Sequence, residues 1–399
     1  METTKLRPGA AVIIALCFLV ATLEGFDIQA FGVAAPKLTG AFHLDPATLG
    51  WAGSATTIGL VTGELVGGWI ADRVGRRPVL LAAVIAFGAG SIFTALTANA
   101  PELIGARVIT GLGLGAALPN LIAIAAEISP PSRRGATTCA MFCGMPVGGA
   151  SVALVSTLGP HLGWQAPFLV GGTLPLLLAP ALYFRLPETR IRDDGEVKGG
   201  LLNALFGGGR AAPTLLLWLA NLACLVVLYL MLNWLPTLVI AKGQSPQVGS
   251  AAAFIFNFVG IAGTLILGFA VDRFGFRWSL PLGFLVLAGV MTALGQAANA
   301  WSILSLAAAA GFLVVGGLFS LYGLAPLLYP AHVRSAGAGA AVGIGRIGSI
   351  IGPLVGGALR QAGWSAGHVL VAMLPVALVA GAAVFAMTFF AKIYEAPAS

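Results

Sequence analysis

The first thing missing from this chain is charge. Only 9% of its residues are Asp, Glu, Lys or Arg, where a soluble domain carries about a quarter. That excludes an ordinary water-soluble globule. Also missing are a His-Glu-x-x-His zinc motif, a Gly-x-Ser-x-Gly nucleophile turn and a Gly-x₄-Gly-Lys-Ser/Thr nucleotide loop. The four histidines, His43, His161, His332 and His368, fall at loops or span ends and do not cluster. A membrane enzyme and an ATP-driven pump are therefore set aside, and no metal or cofactor is expected. The four cysteines, Cys17, Cys139, Cys143 and Cys224, lie in apolar runs without metal spacing and read as small packing residues. No small-residue cleavage site ends the first apolar run, so it is not read as a secretory signal.

What is there is apolar. Hydrophobic residues make up 58% of the 399 positions, mean hydropathy is +0.96, and Gly reaches 55. Small residues let membrane helices approach closely. Runs of about 20 apolar residues suffice to span a bilayer, and punctuation by Gly, Pro and charge marks twelve. They fall near 11–35, 48–71, 78–98, 102–126, 136–159 and 165–186, then 213–240, 248–271, 278–298, 301–326, 337–359 and 365–391. The fold class is an all-α polytopic membrane protein with twelve transmembrane helices in two six-helix halves. Residues 1–186 form the first half, 187–212 a polar cytoplasmic linker, and 213–399 the second half.

The basic residues sit in short loops and make no continuous stripe, so the net charge of +7 does not point to nucleic acid. It points to topology. With the N-terminus inside, only Lys37, Lys242 and Arg360 of the 21 Lys and Arg face outside, and Arg107 and Arg346 fall within spans. Both termini and the linker are thus expected in the cytoplasm, with the protein in the cell's inner (plasma) membrane. A shift of 200 residues places Gly68, Asp72, Arg73, Gly75 and Arg77 on Gly268, Asp272, Arg273, Gly275 and Arg277. Pro36 likewise falls on Pro236, and Gly163-Trp164 on Gly363-Trp364. An even number of helices per half makes these parallel repeats, an organisation that alternates access by rocking two halves about a midplane site. Nothing demands an oligomer, so a monomer is expected.

Charges inside spans cost at least ~2.5–3.5 kcal/mol each and mark function or pairing. Glu24 and Asp27 lie three apart in the first span and share a helix face. This pattern fits a proton-binding site, or an ion pair that holds helices together. Glu64 in the second span is either a further proton site or a locally paired acid. Leaving out Glu102 at the very edge of the fourth span, three acids (Glu24, Asp27, Glu64) and two arginines (Arg107, Arg346) leave the spans one negative charge, which a single bound proton would neutralise. Arg346 falls about mid-bilayer, and its guanidinium is a planar fork for a carboxylate. Phe31, Trp234, Phe258 and Tyr322 are candidates to clamp a ring.

The hairpin Gly67-Gly68-Trp-Ile-Ala-Asp72-Arg73-Val-Gly75-Arg76-Arg77, with its weaker copy at Gly268 to Arg277, resembles the signature loop of the major facilitator superfamily. Gly68 is expected to allow close helix packing and Gly75 a tight turn. Asp72, Arg73, Arg76, Asp272 and Arg273 are expected to make contacts that lock one state and release in another. Further motifs narrow the likeness: Glu24-Gly-Phe-Asp27, Arg107 to Asn120 with Gly111, Gly113, Gly115 and Pro119, and Gly345-Arg346-Ile-Gly348. Together with Asn233-Trp234-Leu-Pro236 and Tyr322-Gly-Leu-Ala-Pro326, they resemble the aromatic acid:proton symporter family, and within it the hydroxyphenylpropionate transporters. That family commonly has aspartate where this chain has Glu24.

The resemblance implies proton-coupled import of a small aromatic carboxylate, with Glu24, Asp27, Arg107 and Arg346 required. Arg107 is either a structural partner of a first-span acid or a direct participant. The alternatives are a drug/proton antiporter, another organic-anion transporter on the same fold, or a membrane sensor that does not transport. Gly348, Gly352, Pro353, Gly356 and Gly357 have the antiporter spacing, but in the eleventh span rather than the fifth. Residues 144–149 of the fifth match it poorly.

Overall fold

The computed structural model describes residues 10–128, 141, 143–158, 161–186, 205–329 and 334–390. Most of the linker predicted at 187–212, and the side chains of Asp72 and Asp272, lie outside the described residues. The chain divides into two compact units, Met1–Asp193 and Asp194–Ser399. The first unit holds α1 (Ala10–Phe42), α2 (Pro46–Val74), α3 (Arg76–Leu96), α4 (Ala100–Ile128), α5 (Gly144–Leu158) and α6 (Gln165–Arg185). In the second are α7 (Ala211–Ala241), α8 (Pro246–Phe274), α9 (Phe276–Gln296), α10 (Ala300–Leu324) and α11 (Arg334–Gln361). The last span is α12 (Ala366–Val371) continued by α13 (Met373–Met387). Apart from a short 3₁₀ turn at Ala325–Leu328, all regular structure among the described residues is α-helix. Ten of the spans are long and apolar enough to cross a membrane. α5 is shorter, and α2, which carries Ser54, Thr56, Thr57, Thr62 and Glu64, is less apolar.

The 200-residue repeat is structural. α2 and α8 share their bounds at that offset, as do α3 and α9. The start signals match: Asp45 and Ser245 accept from the amides of Thr48 and Val248, with Pro46 and Pro246 at the first turn. The exits match too, through Gly75 at φ 105° and Gly275 at φ 80°, values that residues with a Cβ rarely adopt. Each unit then repeats one packing scheme. α1 lies on α5, α2 on α4 and α3 on α6; α7 lies on α11, α8 on α10 and α9 on α13.

Backbone proximity between α2 and α4 explains part of the high glycine content. A Cβ added to Gly111 would stand 2.0 Å from the Thr56 carbonyl oxygen, and one on Gly115 would stand 1.9 Å from that of Leu60. Only residues without side chains allow this approach. The packing glycine of the α2 end is Gly67, not Gly68 as the sequence suggested. A Cβ on Gly67 would meet Ala116 at 2.5 Å, whereas one on Gly68 or Gly268 meets nothing within 4 Å among the described residues. One residue turns a helix by about 100°, enough to move Gly68 off the contact face. A second difference concerns Pro36, taken as an end marker. α1 runs through it to Phe42, as membrane helices do where neighbours accommodate the missing N–H.

The three basic residues that break the charge asymmetry each hold backbone carbonyls. Lys37 Nζ donates to Leu162 O (2.6 Å), Lys242 Nζ to Leu294 O (2.6 Å) and Gly295 O (2.9 Å), and Arg360 Nη1 to Trp364 O (2.7 Å). Lys242, just past the end of α7, is partly buried there, which pushes its ammonium pKa below the usual lysine value. These cations satisfy carbonyls at helix ends and turns that lack intrahelical partners.

Candidate functional site

In the first unit, close packing brings Arg107 onto two other helices. α4 lies against α2 at Gly111, so Arg107 Nε donates to Thr56 Oγ1 at 2.8 Å. Its Nη1 donates to Asp27 Oδ1 of α1 at 2.8 Å, and its Nη2 to the Asp27 main-chain carbonyl at 3.2 Å. The guanidinium carbon lies 5.3 Å from the centroid of the Phe168 ring of α6, within cation–π range. Arg107, Asp27 and Glu24 are all completely buried. Glu24 stands one turn before Asp27, and the intervening Gly25 presses against the Met145 carbonyl of α5, where a Cβ would stand at 2.1 Å. The Asp27–Arg107 pair is a charge-assisted contact buried from solvent. Asp27 Oδ1 is taken by Arg107, while Oδ2 is buried and accepts no hydrogen bond among the described residues.

Sequence reasoning left Arg107 open between structural partner and direct participant; it is ion-paired with Asp27. Thr56 and Phe168 were not anticipated. The available signal for Thr56 was a hydroxyl in a span, shared with many others.

In the second unit, Arg346 of α11 is 6% exposed, and its Nη1 donates to the Tyr229 hydroxyl of α7 at 3.2 Å. Ser349 Oγ donates back to the Arg346 carbonyl at 2.5 Å. Tyr229 was likewise missed; its phenol lies in an otherwise apolar run. Between 213 and 390 the sequence has one acid, Asp272, at the α8–α9 hairpin. The spans of this half therefore contain no carboxylate of their own. The antiporter-like glycines have another use here. Gly348 abuts the Leu222 carbonyl and Gly352 that of Val226, so the spacing serves α7–α11 packing.

The aromatic candidates scatter. Phe31 is buried one turn after Asp27. Trp234 is buried with its indole N–H donated to Pro353 O at 3.0 Å, and its ring lies against Gly356. Tyr322 is half-buried, edge-on to Phe319 at 6.0 Å. Phe258 is 59% exposed and stacked on Phe254, a position for surface contact rather than for clamping a buried ring. Glu64 is half-buried on α2, its amide beside Gly115. At the hairpin, Arg73 stacks 3.5 Å over the Trp69 ring, and Arg77 donates to the Tyr183 carbonyl of α6 and lies 4.9 Å from its ring. Arg76 is half-buried, and Arg273 exposed.

Comparisons with known proteins agree with this architecture. The family model described as "Major Facilitator Superfamily" matches residues 17–265. A 3-(3-hydroxy-phenyl)propionate transporter of Escherichia coli K12 is 41% identical over 93% of this chain and 92% of its own. The Pseudomonas aeruginosa 4-hydroxybenzoate transporter is 36% identical over 96% of this chain and 94% of its own. Among solved structures, a D-xylose–proton symporter superimposes with a TM-score of 0.79 at 20% identity, covering 96% of this chain and 98% of its own. At that identity the likeness speaks for the fold alone.

Proposed function

The chain belongs to the major facilitator superfamily, and from that premise we propose that it imports a small aromatic carboxylate together with protons by alternating access. The observation that carries the proton half of this reading is Asp27. Its Oδ1 is held by Arg107, and its buried Oδ2, which has no hydrogen-bond partner among the described residues, has a lone pair on which a proton can sit. Protonation neutralises the carboxylate and loosens its hold on Arg107. Glu24, buried one turn away, is the second member of this relay. The substrate half rests on Arg346, held by Tyr229 in a half whose spans contain no acid. A monoanionic carboxylate is the natural partner for that guanidinium, and a cationic drug is a poor one. The choice of an aromatic acid follows the names of relatives that match over nearly the whole chain, with Tyr322, in the same unit as Arg346, as a ring contact.

The halves 1–186 and 213–399 act as the two gates, tethered by 187–212. The hairpins containing Gly68, Asp72, Arg73, Gly75, Arg76, Asp272 and Arg273 secure one state. The protein works as a monomer in the cell's inner membrane, with both termini in the cytoplasm. The test is uptake of labelled 3-(3-hydroxyphenyl)propionate and 4-hydroxybenzoate into proteoliposomes, with and without an inward proton gradient. Gradient-driven accumulation of either supports the reading. Protein shown to be folded and inserted that accumulates neither overturns it.

A further inference from the structure

The second unit contains a buried polar atom that its own packing leaves unused. Asn221 of α7 is completely buried, and its Nδ2 donates to the Leu217 carbonyl at 3.0 Å. That donation fixes the orientation of the amide, so the oxygen is the remaining end. Oδ1 has no hydrogen-bond partner among the described residues. A buried acceptor without a donor costs stability, and such atoms in native proteins call for an explanation.

The neighbourhood indicates what the donor is. Asn221, Leu225 and Tyr229 lie four residues apart and form one row on α7. α11 meets that row at two consecutive residues. A Cβ on Gly345 would stand 3.1 Å from Asn221 Cβ and 3.0 Å from Leu225 Cδ1, and Arg346 donates to Tyr229. The carboxylate-binding guanidinium and the unused amide oxygen thus flank the same short stretch of α11. Asn221 and Tyr229 are eight residues apart, about 12 Å of helix rise, a span on the scale of a small aromatic acid. The acceptor lacks a hydrogen-bond donor, and the donor that an aromatic acid held at Arg346 can bring on its ring is a hydroxyl.

We propose that Asn221 is a specificity-determining residue whose Oδ1 accepts a hydrogen bond from the ring hydroxyl of a phenolic acid while Arg346 takes its carboxylate. The proposal rests on the carboxylate-import reading above and names the substrate class within it. A site built to pair a hydroxyl rejects the analogue without one, because the acceptor is then left buried and unpaired.

The experiment compares 3-(3-hydroxyphenyl)propionate with 3-phenylpropionate, which differ only in the hydroxyl. Initial uptake rates into proteoliposomes are measured for the wild type, Asn221→Leu and Asn221→Ala. The second variant removes the amide without adding bulk beside Gly345. The wild type is expected to prefer the hydroxylated acid by at least about tenfold, and both variants to lose that preference. Equal handling of the two acids by the wild type overturns the proposal. So does an unchanged preference in the variants, the result a buried water at Oδ1 would give, or loss of both substrates in both variants. Wild-type protein that takes up neither acid overturns the import reading itself, a failure separate from these.

Discussion

At the scale of the residue, the Asp27–Arg107 pair is the most informative contact. Its two charges are fully buried, and Arg107 makes two hydrogen bonds to Asp27 and a third to Thr56. Arg107→Ala would strand the Asp27 carboxylate, a change expected to cost about 3–5 kcal/mol, read as a lowered midpoint of thermal unfolding in detergent. The double variant Asp27→Asn/Arg107→Gln should lose less than the two single changes added together, since neither partner then leaves a charge behind. Asp27→Asn alone also tests function. That variant is expected to exchange substrate across the bilayer in counterflow but not to accumulate it against a proton gradient. Full gradient-driven accumulation by Asp27→Asn would remove Asp27 as the proton carrier.

At the scale of the element, helix contact faces and helix ends make different demands. Leucine at Gly111 would drive a side chain into the Thr56 carbonyl and part α4 from α2, displacing Arg107 from its partners. Gly111→Leu is therefore expected to abolish folded protein in the membrane, as scored by size-exclusion profile. Gly68→Ala adds a methyl to open space and should stay within about 0.5 kcal/mol of the parent. Helix starts differ in their response to acid. The Asp45 carboxyl lies below its usual 3.8 because the Thr48 amide, and then the Thr48 side chain, hydrogen-bond to the charged form. Its capping contribution is therefore complete above that ordinary value and is lost as pH falls through the lowered one. Ser245, which caps α8 at the equivalent position, does not titrate. Amide exchange should accordingly rise at Thr48 and Leu49 relative to Val248 and Gly249 as the pH drops through that range. Equal behaviour of the two helix starts would count against the cap.

At the scale of the whole molecule, the basic residues define an orientation that labelling can test. With both termini in the cytoplasm, a cysteine at exposed Ala98 should react with an impermeant thiol reagent added to intact cells. One at Ala396 should react only after the membrane is opened. The reverse pattern would invert the topology. Much of this level was legible from sequence, because spans, loop charge and the 200-residue repeat are properties of composition and order along the chain. Twelve spans were readable, as were the turns at Gly75 and Gly275, since only a residue without a Cβ suits their φ. Even the candidate charges could be named, because an ionised group in an apolar run stands out by itself.

Partners could not be read in the same way. Arg107 on Asp27, Thr56 beneath Arg107, Tyr229 on Arg346 and Trp234 on Pro353 all join helices distant in sequence. Those contacts depend on the rotation of each helix about its axis, and 100° per residue is enough to exchange Gly67 for Gly68 as the contact glycine. The sequence by itself thus determined the kind of protein, its spans and repeat, and its set of buried charges. The tertiary structure alone decided which of those groups meet and which polar atoms, Asp27 Oδ2 and Asn221 Oδ1, are left without a donor among the described residues. The reason is physical: hydropathy adds up along the chain, while hydrogen bonds require atoms from different helices to arrive within about 3 Å of one another.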